Sequence, residues 1–361
     1  MLMSFQKTAK RSSPVCSALI AAATVFSLTS AAFSQIAPDR TYYGITRAIP
    51  MTITVPAGAM GDVSLQLIAP ASYEVVEKAT AAAGAVNLAE KFPTLWTTSS
   101  PRLLYVQLLV GETKVGPAVV LQPLVTPNYA KSADGVGNPA WAPGPKVYSG
   151  VRAYVDKHVV LDTSKGEIEL SLRPDMAPNT AWSFRELVGG GFYTEVIFHR
   201  IADLNADGTI DILQVGDPGA GDVAKAGSGG PGFNIDLERS TLAHDSGIIS
   251  MARSQDPNSN GSQFFLCLNK SGTSFLDGKY TTFGETVRGL NVIKTLGTVQ
   301  TNASARPIDP PMIKSAKLID APPIGSAATP AGGETKPDAK PDTKLDTKPA
   351  EKPAEKPADK R

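Results

Sequence analysis

The sequence predicts a mostly β protein with two folded parts: a small β-sandwich over residues 35–126 and a closed antiparallel β barrel, capped by two helices, over residues 155–320. Two observations predict this class. Short apolar runs alternate with polar residues at a period of two, and only two stretches have helical periodicity. A third observation is that 32 glycines and 29 prolines occur among the 361 residues, which favours many short strands joined by turns.

The first 34 residues are predicted to form a secretory signal peptide. Basic residues such as Lys7 and Arg11 precede the apolar run 15–28, and small residues follow it up to Ser34, which is the layout of a leader sequence. An uncleaved anchor is the alternative, although the run is short for a membrane span. We therefore expect an exported protein of the periplasm, cell envelope or exterior, with no transmembrane segment after the leader is removed.

The segments between the leader and the barrel carry no chemical signature. Residues 35–126 contain alternating runs at 51–55, 63–68 and 103–108, but no Cys, no His and no clustered carboxylates, so the sequence predicts strands without indicating a role. Residues 127–154 are rich in Pro, Gly, Asn and Ala and are predicted to be a linker.

The C-terminal segment 321–361 is rich in Lys, Pro, Asp and Glu. Such a composition buries too little apolar surface to fold, so the sequence predicts a disordered tail that is a solvated spacer or a tether to an unidentified partner. Over the whole chain Lys plus Arg total 35 and Asp plus Glu total 34, giving a net charge of +1. A chain with this balance has no electrostatic basis for binding nucleic acid.

The barrel region alternates short strands with two helices. Lys165-Gly166 joins two apolar runs and predicts a hairpin, and Pro178 precedes a helical pattern that the glycines 189–191 end. A second helix is predicted at 290–296. Further strands are predicted at 196–198, 212–215, 248–251, 264–268 and 312–318. Many short strands with few helices are typical of a closed, capped barrel.

Five motifs in this region resemble those of cyclophilin-type peptidyl-prolyl cis-trans isomerases, in the same order and at similar spacing. The resemblance covers nearly all of residues 155–320, and its groove residues are most similar to those of bacterial exported cyclophilins. The motifs are Phe198-His199-Arg200, Gln214-Val215-Gly216-Asp217-Pro218, residues 247–253, residues 260–265, and Phe275-Leu276-Asp277-Gly278-Lys279-Tyr280 followed by Phe283-Gly284.

The resemblance implies a cyclophilin-like barrel that isomerises Xaa-Pro bonds without a cofactor. Rotation about this bond breaks amide resonance, at a barrier of about 18–20 kcal/mol, so the catalyst must bind the twisted amide better than either planar form. The resemblance implies that Arg200 donates hydrogen bonds to the twisted amide, with Gln214 and Phe265 as the other catalytic residues. The implied substrate-binding residues are Ile212, Ala252, Arg253, Gln263, Phe275, Leu276 and Tyr280.

One connection departs from the family pattern. Residues 202–209 lengthen the link between Arg200 and Gln214, and Asp211 stands where the resemblance implies an aromatic wall of the proline socket. The inserted residues also match the first nine positions of an EF-hand loop. The candidate calcium ligands are Asp203, Asn205, Asp207, Thr209 and Asp211. Gln214 occupies the twelfth position, where a bidentate Glu is usual, so a metal-free turn rich in Asp and Asn is the alternative.

The best-supported function from the sequence is therefore prolyl isomerisation in proteins that fold outside the cytoplasm, with flexible proline-containing segments as partners. One alternative is a catalytically weak cyclophilin fold that binds proline peptides as a chaperone. A second is a calcium-braced scaffold of the envelope. Gly227-Ser228-Gly229-Gly230-Pro231-Gly232 matches a dinucleotide-binding pattern, but no strand precedes it and no helix follows it, so it predicts a flexible loop.

Overall fold

The computed structural model describes residues 35–326, apart from 71, 135, 136 and 145. The predicted signal peptide, and the predicted tail from 327 onward, lie outside the described residues. Strands dominate the described part of the chain, where only four α-helices and one 3-10 helical turn (Ser274–Leu276) occur, so the mostly β class is confirmed. None of these helices has the length and apolar character needed to cross a membrane.

The N-terminal part contains a six-stranded antiparallel sheet of order β2-β11-β8-β7-β4-β5, a three-stranded sheet of order β1-β3-β6, and a separate hairpin β9-β10. The bounds are β1 (Ile36–Pro38), β2 (Tyr42–Gly44), β3 (Pro50–Ile53), β4 (Val63–Ile68), β5 (Val75–Thr80), β6 (Gly84–Asn87), α1 (Leu88–Lys91), α2 (Thr94–Thr97), β7 (Leu104–Val110), β8 (Thr113–Val125), β9 (Tyr129–Ser132), β10 (Pro139–Ala142) and β11 (Tyr148–Val155).

These two sheets share one apolar core. Leu65 pairs with Leu108, and Leu67 with Val106, across β4 and β7, and all four side chains are buried together with Met51 of the three-stranded sheet. Because side chains alternate between the two faces of a strand, a register slip of one residue would expose this set. The apolar alternation visible in the sequence therefore determines which face of the larger sheet is buried.

The predicted linker 127–154 is not an unstructured connection. It contains the hairpin β9-β10 and nearly all of β11, which pairs with β8 through Ala153 and Leu121. Val151 and Ala153 are buried in the core. Prediction of a linker was wrong for this strand because the Pro- and Gly-rich residues before it masked the alternation at its end.

The C-terminal part is a single nine-stranded antiparallel sheet of order β14-β20-β12-β13-β19-β17-β18-β16-β15 with two helices. The bounds are β12 (Lys157–Thr163), β13 (Gly166–Leu172), α3 (Pro178–Gly189), β14 (Val196–Ile197), β15 (Arg200–Ala202), β16 (Ile212–Val215), β17 (Ile248–Met251), β18 (Phe264–Cys267), β19 (Thr282–Arg288), α4 (Leu290–Gly297) and β20 (Met312–Asp320).

This sheet curls around a core that includes Phe184 of α3, Phe264 of β18 and Phe283 of β19. The two end strands in its order, β14 and β15, follow each other along the chain with only Phe198 and His199 between them. No ladder joins β14 to β15 among the described residues. The structure thus shows a curled sheet, and a barrel closed by hydrogen bonds all the way round is not confirmed.

The two parts of the chain are packed against each other. Tyr105, Val120 and Tyr154 of the N-terminal sheet form a buried cluster against which Trp182 of α3 and Ile324 pack. The described residues all fall in one compact unit. A separate small sandwich domain is therefore not confirmed, because apolar surface on the outer face of the larger sheet is buried by the second part.

Residues 321–326 belong to this junction, so the predicted start of the tail at 321 was too early. The Ile324 N–H donates to Gln107 Oε1 at 2.9 Å, and Lys114 Nζ donates to the Ile324 carbonyl at 2.7 Å. Ala321 is buried. The segment holds its place through backbone hydrogen bonds and two apolar contacts, features that its Pro- and Ala-rich composition did not reveal.

Candidate active site

Strand register brings the predicted catalytic residues into one row. Arg200 on β15 lies opposite Gln214 on β16, Gln214 lies opposite Phe265 on β18, and Phe265 lies opposite Ser250 on β17. Directly opposed residues of antiparallel strands place their side chains on the same face of the sheet. Residues distant in sequence therefore meet on one side of the curled sheet.

A chain of side-chain amides orients the arginine. Arg200 Nη1 donates to Gln214 Oε1 at 3.2 Å, Gln214 Nε2 donates to Gln263 Oε1 at 3.0 Å, and Gln263 Nε2 donates to the Gly229 carbonyl at 2.8 Å. The order of donors fixes which way each amide points. Among the described residues the Arg200 guanidinium makes no other hydrogen bond, so its remaining N–H groups are available to a ligand.

Burial lowers the pKa of Arg200, while the nearby Tyr280 hydroxyl acts in the opposite direction. An arginine remains charged at any working pH because its pKa starts above 12. The lowered pKa nevertheless indicates a guanidinium that has lost part of its hydration. A hydrogen bond from such a group to a carbonyl or amide is stronger than one made in bulk water.

A cluster of buried apolar side chains lies on the strands next to Arg200. We call it the proline socket, and its buried members come from three strands and the turn 274–276. These members are Ala202, Ile212, Phe265, Cys267 and Leu276, with Leu204, Ala252, Tyr280 and Ala305 packed against them. Burial raises the pKa of the Cys267 thiol to about 12, so this cysteine is an apolar wall and not a nucleophile.

The aromatic ring of Phe265 is held from two sides. His244 stacks on it with ring centroids 5.9 Å apart, and Tyr280 meets it edge to face at 6.0 Å. His244 is itself fixed, since its Nδ1 lies 2.7 Å from Asp277 Oδ1 and its Nε2 lies 2.9 Å from Ser250 Oγ. Burial lowers the pKa of His244, against the effect of Asp277, which favours the neutral ring.

His244 and Ser250 are site residues that sequence reasoning missed. No motif marks His244, and only the pairing of Ser250 with Phe265 places it behind the socket. Asp277 lies within a recognised motif, but its role as partner of His244 could not be predicted without the fold. These three residues support the socket and do not line it.

An open groove of about 700 Å³ continues from the socket. One wall is the glycine-rich segment 227–234, and the other includes Ala252, Arg253, Ser254 and Gln263. The glycine-rich segment was predicted to be flexible, yet Asp217 holds it: its carboxylate accepts N–H groups from Gly219, Gly227 and Gly229 at 2.7, 2.6 and 3.2 Å. Gly229 must be glycine, because a Cβ there would lie 2.0 Å from Asp217 Oδ1.

Two predicted substrate-binding residues lie outside the socket cluster. Arg253 lines the groove, but its guanidinium donates to backbone carbonyls, including those of Lys279 and Gly137 at 2.8–3.0 Å, and lies over the Tyr280 ring. It braces the hairpin β9-β10 against the groove rim. Phe275 is 48% exposed and is not in the socket cluster, whereas its neighbour Leu276 is. The turn points successive side chains in different directions.

The predicted calcium ligands 203–211 form a turn closed by internal hydrogen bonds. The Asp203 carboxylate accepts N–H groups of Asn205, Asp207 and Gly208, and Asp207 accepts that of Thr209. Asp211 is buried and turned inward. Within residues 35–326, apart from the gaps noted, no three His, Cys, Asp or Glu side chains are grouped to hold a metal. These bonds do not distinguish the two alternatives, and calcium binding stays a prediction.

Comparison with known proteins gives matches over the C-terminal part of the chain. Residues 158–318 match the family model of cyclophilin type peptidyl-prolyl cis-trans isomerases. A peptidyl-prolyl cis-trans isomerase-like 1 of Aspergillus fumigatus is 39% identical over 165 residues, covering 45% of this chain and 95% of the relative. A peptidyl-prolyl cis-trans isomerase of Schizosaccharomyces pombe is 43% identical over 157 residues, covering 42% and 93%.

Among solved structures, a Cryptosporidium parvum cyclophilin type isomerase crystallised in the presence of the dipeptide Ala-Pro shares 32% identity, covers 45% of this chain and 98% of that one, and has a TM-score of 0.40. The curated relatives, each covered over more than nine tenths of its length, define the class of this protein. The chain belongs to the cyclophilin-type peptidyl-prolyl cis-trans isomerase family, and it is an enzyme of that type.

Proposed function

We propose that this isomerase acts on Xaa-Pro bonds of flexible segments in proteins that fold after export from the cytoplasm. The observation that carries the catalytic part is the chain of side-chain hydrogen bonds from Arg200 through Gln214 to Gln263, next to the proline socket. The leader-like segment 1–34 supports the export part. The similarity of the groove residues to those of exported bacterial cyclophilins is also part of this proposal. The relatives named above are eukaryotic and do not bear on it.

The proposed mechanism is non-covalent. The proline ring enters the socket against Phe265. This contact fixes the proline side of the Xaa-Pro amide bond, while the carbonyl of the preceding residue stays free to rotate. As the amide twists, its nitrogen loses conjugation and becomes a hydrogen-bond acceptor. Arg200 then donates to a group that exists only in the twisted state, and this selective contact lowers the barrier.

Gln263 also links the groove wall to the catalytic arginine in this proposal. Its Nε2 is committed to the Gly229 carbonyl and its Oε1 to Gln214, so the glutamine ties the glycine-rich wall of the groove to the arginine. A substrate backbone that binds along the groove would lie next to Gln214, Gln263 and Gly229, which line it. No cofactor is required, because no bond is made or broken and no electron is transferred.

The test is two-dimensional NMR exchange on an Ala-Pro test peptide with the purified protein, run with calcium and with a chelator. We expect cis/trans exchange to be accelerated in both conditions. A chelator-sensitive rate would support calcium binding by residues 203–211 as a brace on β16. Absence of acceleration by folded protein in both conditions would overturn the catalytic proposal and favour the alternative, a proline-peptide binder.

A further inference from the structure

The proline socket lacks the aromatic side chain that the resemblance implies at position 211. Residue 211 stands where the resemblance implies an aromatic side chain, yet it is a buried aspartate whose two carboxylate oxygens both accept hydrogen bonds. Asp211 is 1% exposed, and its Oδ1 accepts a hydrogen bond from Asn269 Nδ2 at 2.8 Å. Gly272 provides the space, because a Cβ there would lie 1.6 Å from Asp211 Oδ1.

Leu204 packs against the same apolar cluster from a different part of the chain. Arg200 and Ala202 alternate along β15, and Leu204 follows two residues after the strand ends. Its side chain is half-buried and packs against the socket cluster that contains Ala202, Ile212 and Phe265. Leu204 belongs to the inserted connection, so the insertion that displaces the aromatic wall also brings an apolar side chain to the socket.

Two carboxylates hold the backbone on either side of Leu204. Asp211 Oδ2 accepts the Leu204 N–H at 2.7 Å, which ties the start of the inserted turn to its end. Asp203 accepts the Asn205 N–H at 3.1 Å and the Gly208 N–H at 2.7 Å. Leu204 is therefore placed by fixed backbone, and not by apolar packing alone.

We propose that Leu204 is the wall of the proline socket that residue 211 does not supply, and that Asp211 is its positioning residue. The inference rests on the proposed function, since it names a contact by which the same site holds the substrate's proline ring. It assigns the acidic turn a role in substrate binding that requires no metal. Loss of a few methylenes from an apolar substrate pocket costs about tenfold or more in specificity.

The test compares Leu204→Ala with Ile210→Ala, a matched loss of an aliphatic side chain in the same connection. Ile210 is also partly buried, but it packs against the main core of the curled sheet and not the socket. We expect Leu204→Ala to lower kcat/KM for an Ala-Pro peptide about tenfold and to raise the peptide Kd measured by NMR titration. Ile210→Ala should change both within about twofold, and Leu204→Met should restore most of the loss.

Equal values of kcat/KM and Kd for the two alanine variants, at matched thermal midpoints, would overturn the assignment of Leu204. If the wild-type protein binds the peptide but does not isomerise it, the proposed function fails, and the Kd comparison still decides on Leu204. Asp211→Ala tests positioning: it should weaken peptide binding in the wild-type background and add little to Leu204→Ala. An equal effect in both backgrounds would remove Asp211 from the proposal.

Discussion

The carboxylate of Asp156 at the junction of the two parts gives the most quantitative prediction. Asp156 lies between β11 and β12 beside a cavity of about 160 Å³ whose lining includes Tyr105, His158 and Arg173. Burial raises the pKa of Asp156 from 3.8 to about 6, against the opposing effects of His158, the Lys157 N–H and Arg185. The folded protein therefore holds this proton more tightly than the unfolded chain.

The sign of the effect on stability follows from linkage. Stability from a carboxyl whose folded pKa is raised is fully present below pH 3.8 and is lost as the pH rises through about 6. A shift of about two pKa units corresponds to about 3 kcal/mol as an upper bound. The Asp156 side chain keeps some contact with solvent, so we expect about 1–2 kcal/mol at pH 7.5.

Asp156→Asn removes the charge while keeping the shape. We expect the variant to be about 1–2 kcal/mol more stable than wild type at pH 7.5 and nearly equal to it at pH 4, measured by urea unfolding. Asp162→Asn is the control, since Asp162 forms an exposed ion pair with Lys314 and should change stability by less than about 1 kcal/mol. An Asp156→Asn variant that is less stable than wild type at both pH values would refute the reasoning.

The remaining predictions concern the groove. Gln263→Leu breaks the amide chain between Gly229 and Gln214. We expect it to lower kcat/KM for an Ala-Pro peptide by roughly tenfold, about 1.4 kcal/mol, with little change in thermal midpoint. An unchanged kcat/KM would show that the chain does not orient Arg200. Arg253→Lys removes the fork of hydrogen bonds to Gly137 and Lys279 and should speed limited proteolysis of the hairpin β9-β10 about threefold; an unchanged cleavage rate would mean that other contacts hold the hairpin.

Much of the nine-stranded sheet could be predicted from the sequence because its signals are local. The alternation in β12 and β13, the Lys165-Gly166 turn between them and the proline that opens α3 all depend on nearby residues. The structure brings Arg200, Gln214, Phe265 and Gln263 together as the resemblance implied. The roles of these four residues in catalysis stay predictions.

The parts that could not be predicted depend on contacts between distant residues. β11 follows a Pro- and Gly-rich segment, and only its pairing with β8 makes it a sheet strand. His244 reaches the site because Asp277 and Ser250 hold its ring against Phe265, and the Leu204 backbone is tied to Asp211, seven residues further along the chain. A period of two or 3.6 residues carries no information on such contacts.

The central claim is that Arg200 stabilises the twisted amide, and the most direct test is kcat/KM for an Ala-Pro peptide with Arg200→Ala, beside wild type and Arg288→Ala. Arg288 pairs with Glu169 and is not among the groove residues. We expect a loss of about 10²–10³ for Arg200→Ala, a change within about twofold for Arg288→Ala, and peptide binding that weakens far less than kcat falls. Activity of Arg200→Ala within about threefold of wild type would contradict the account.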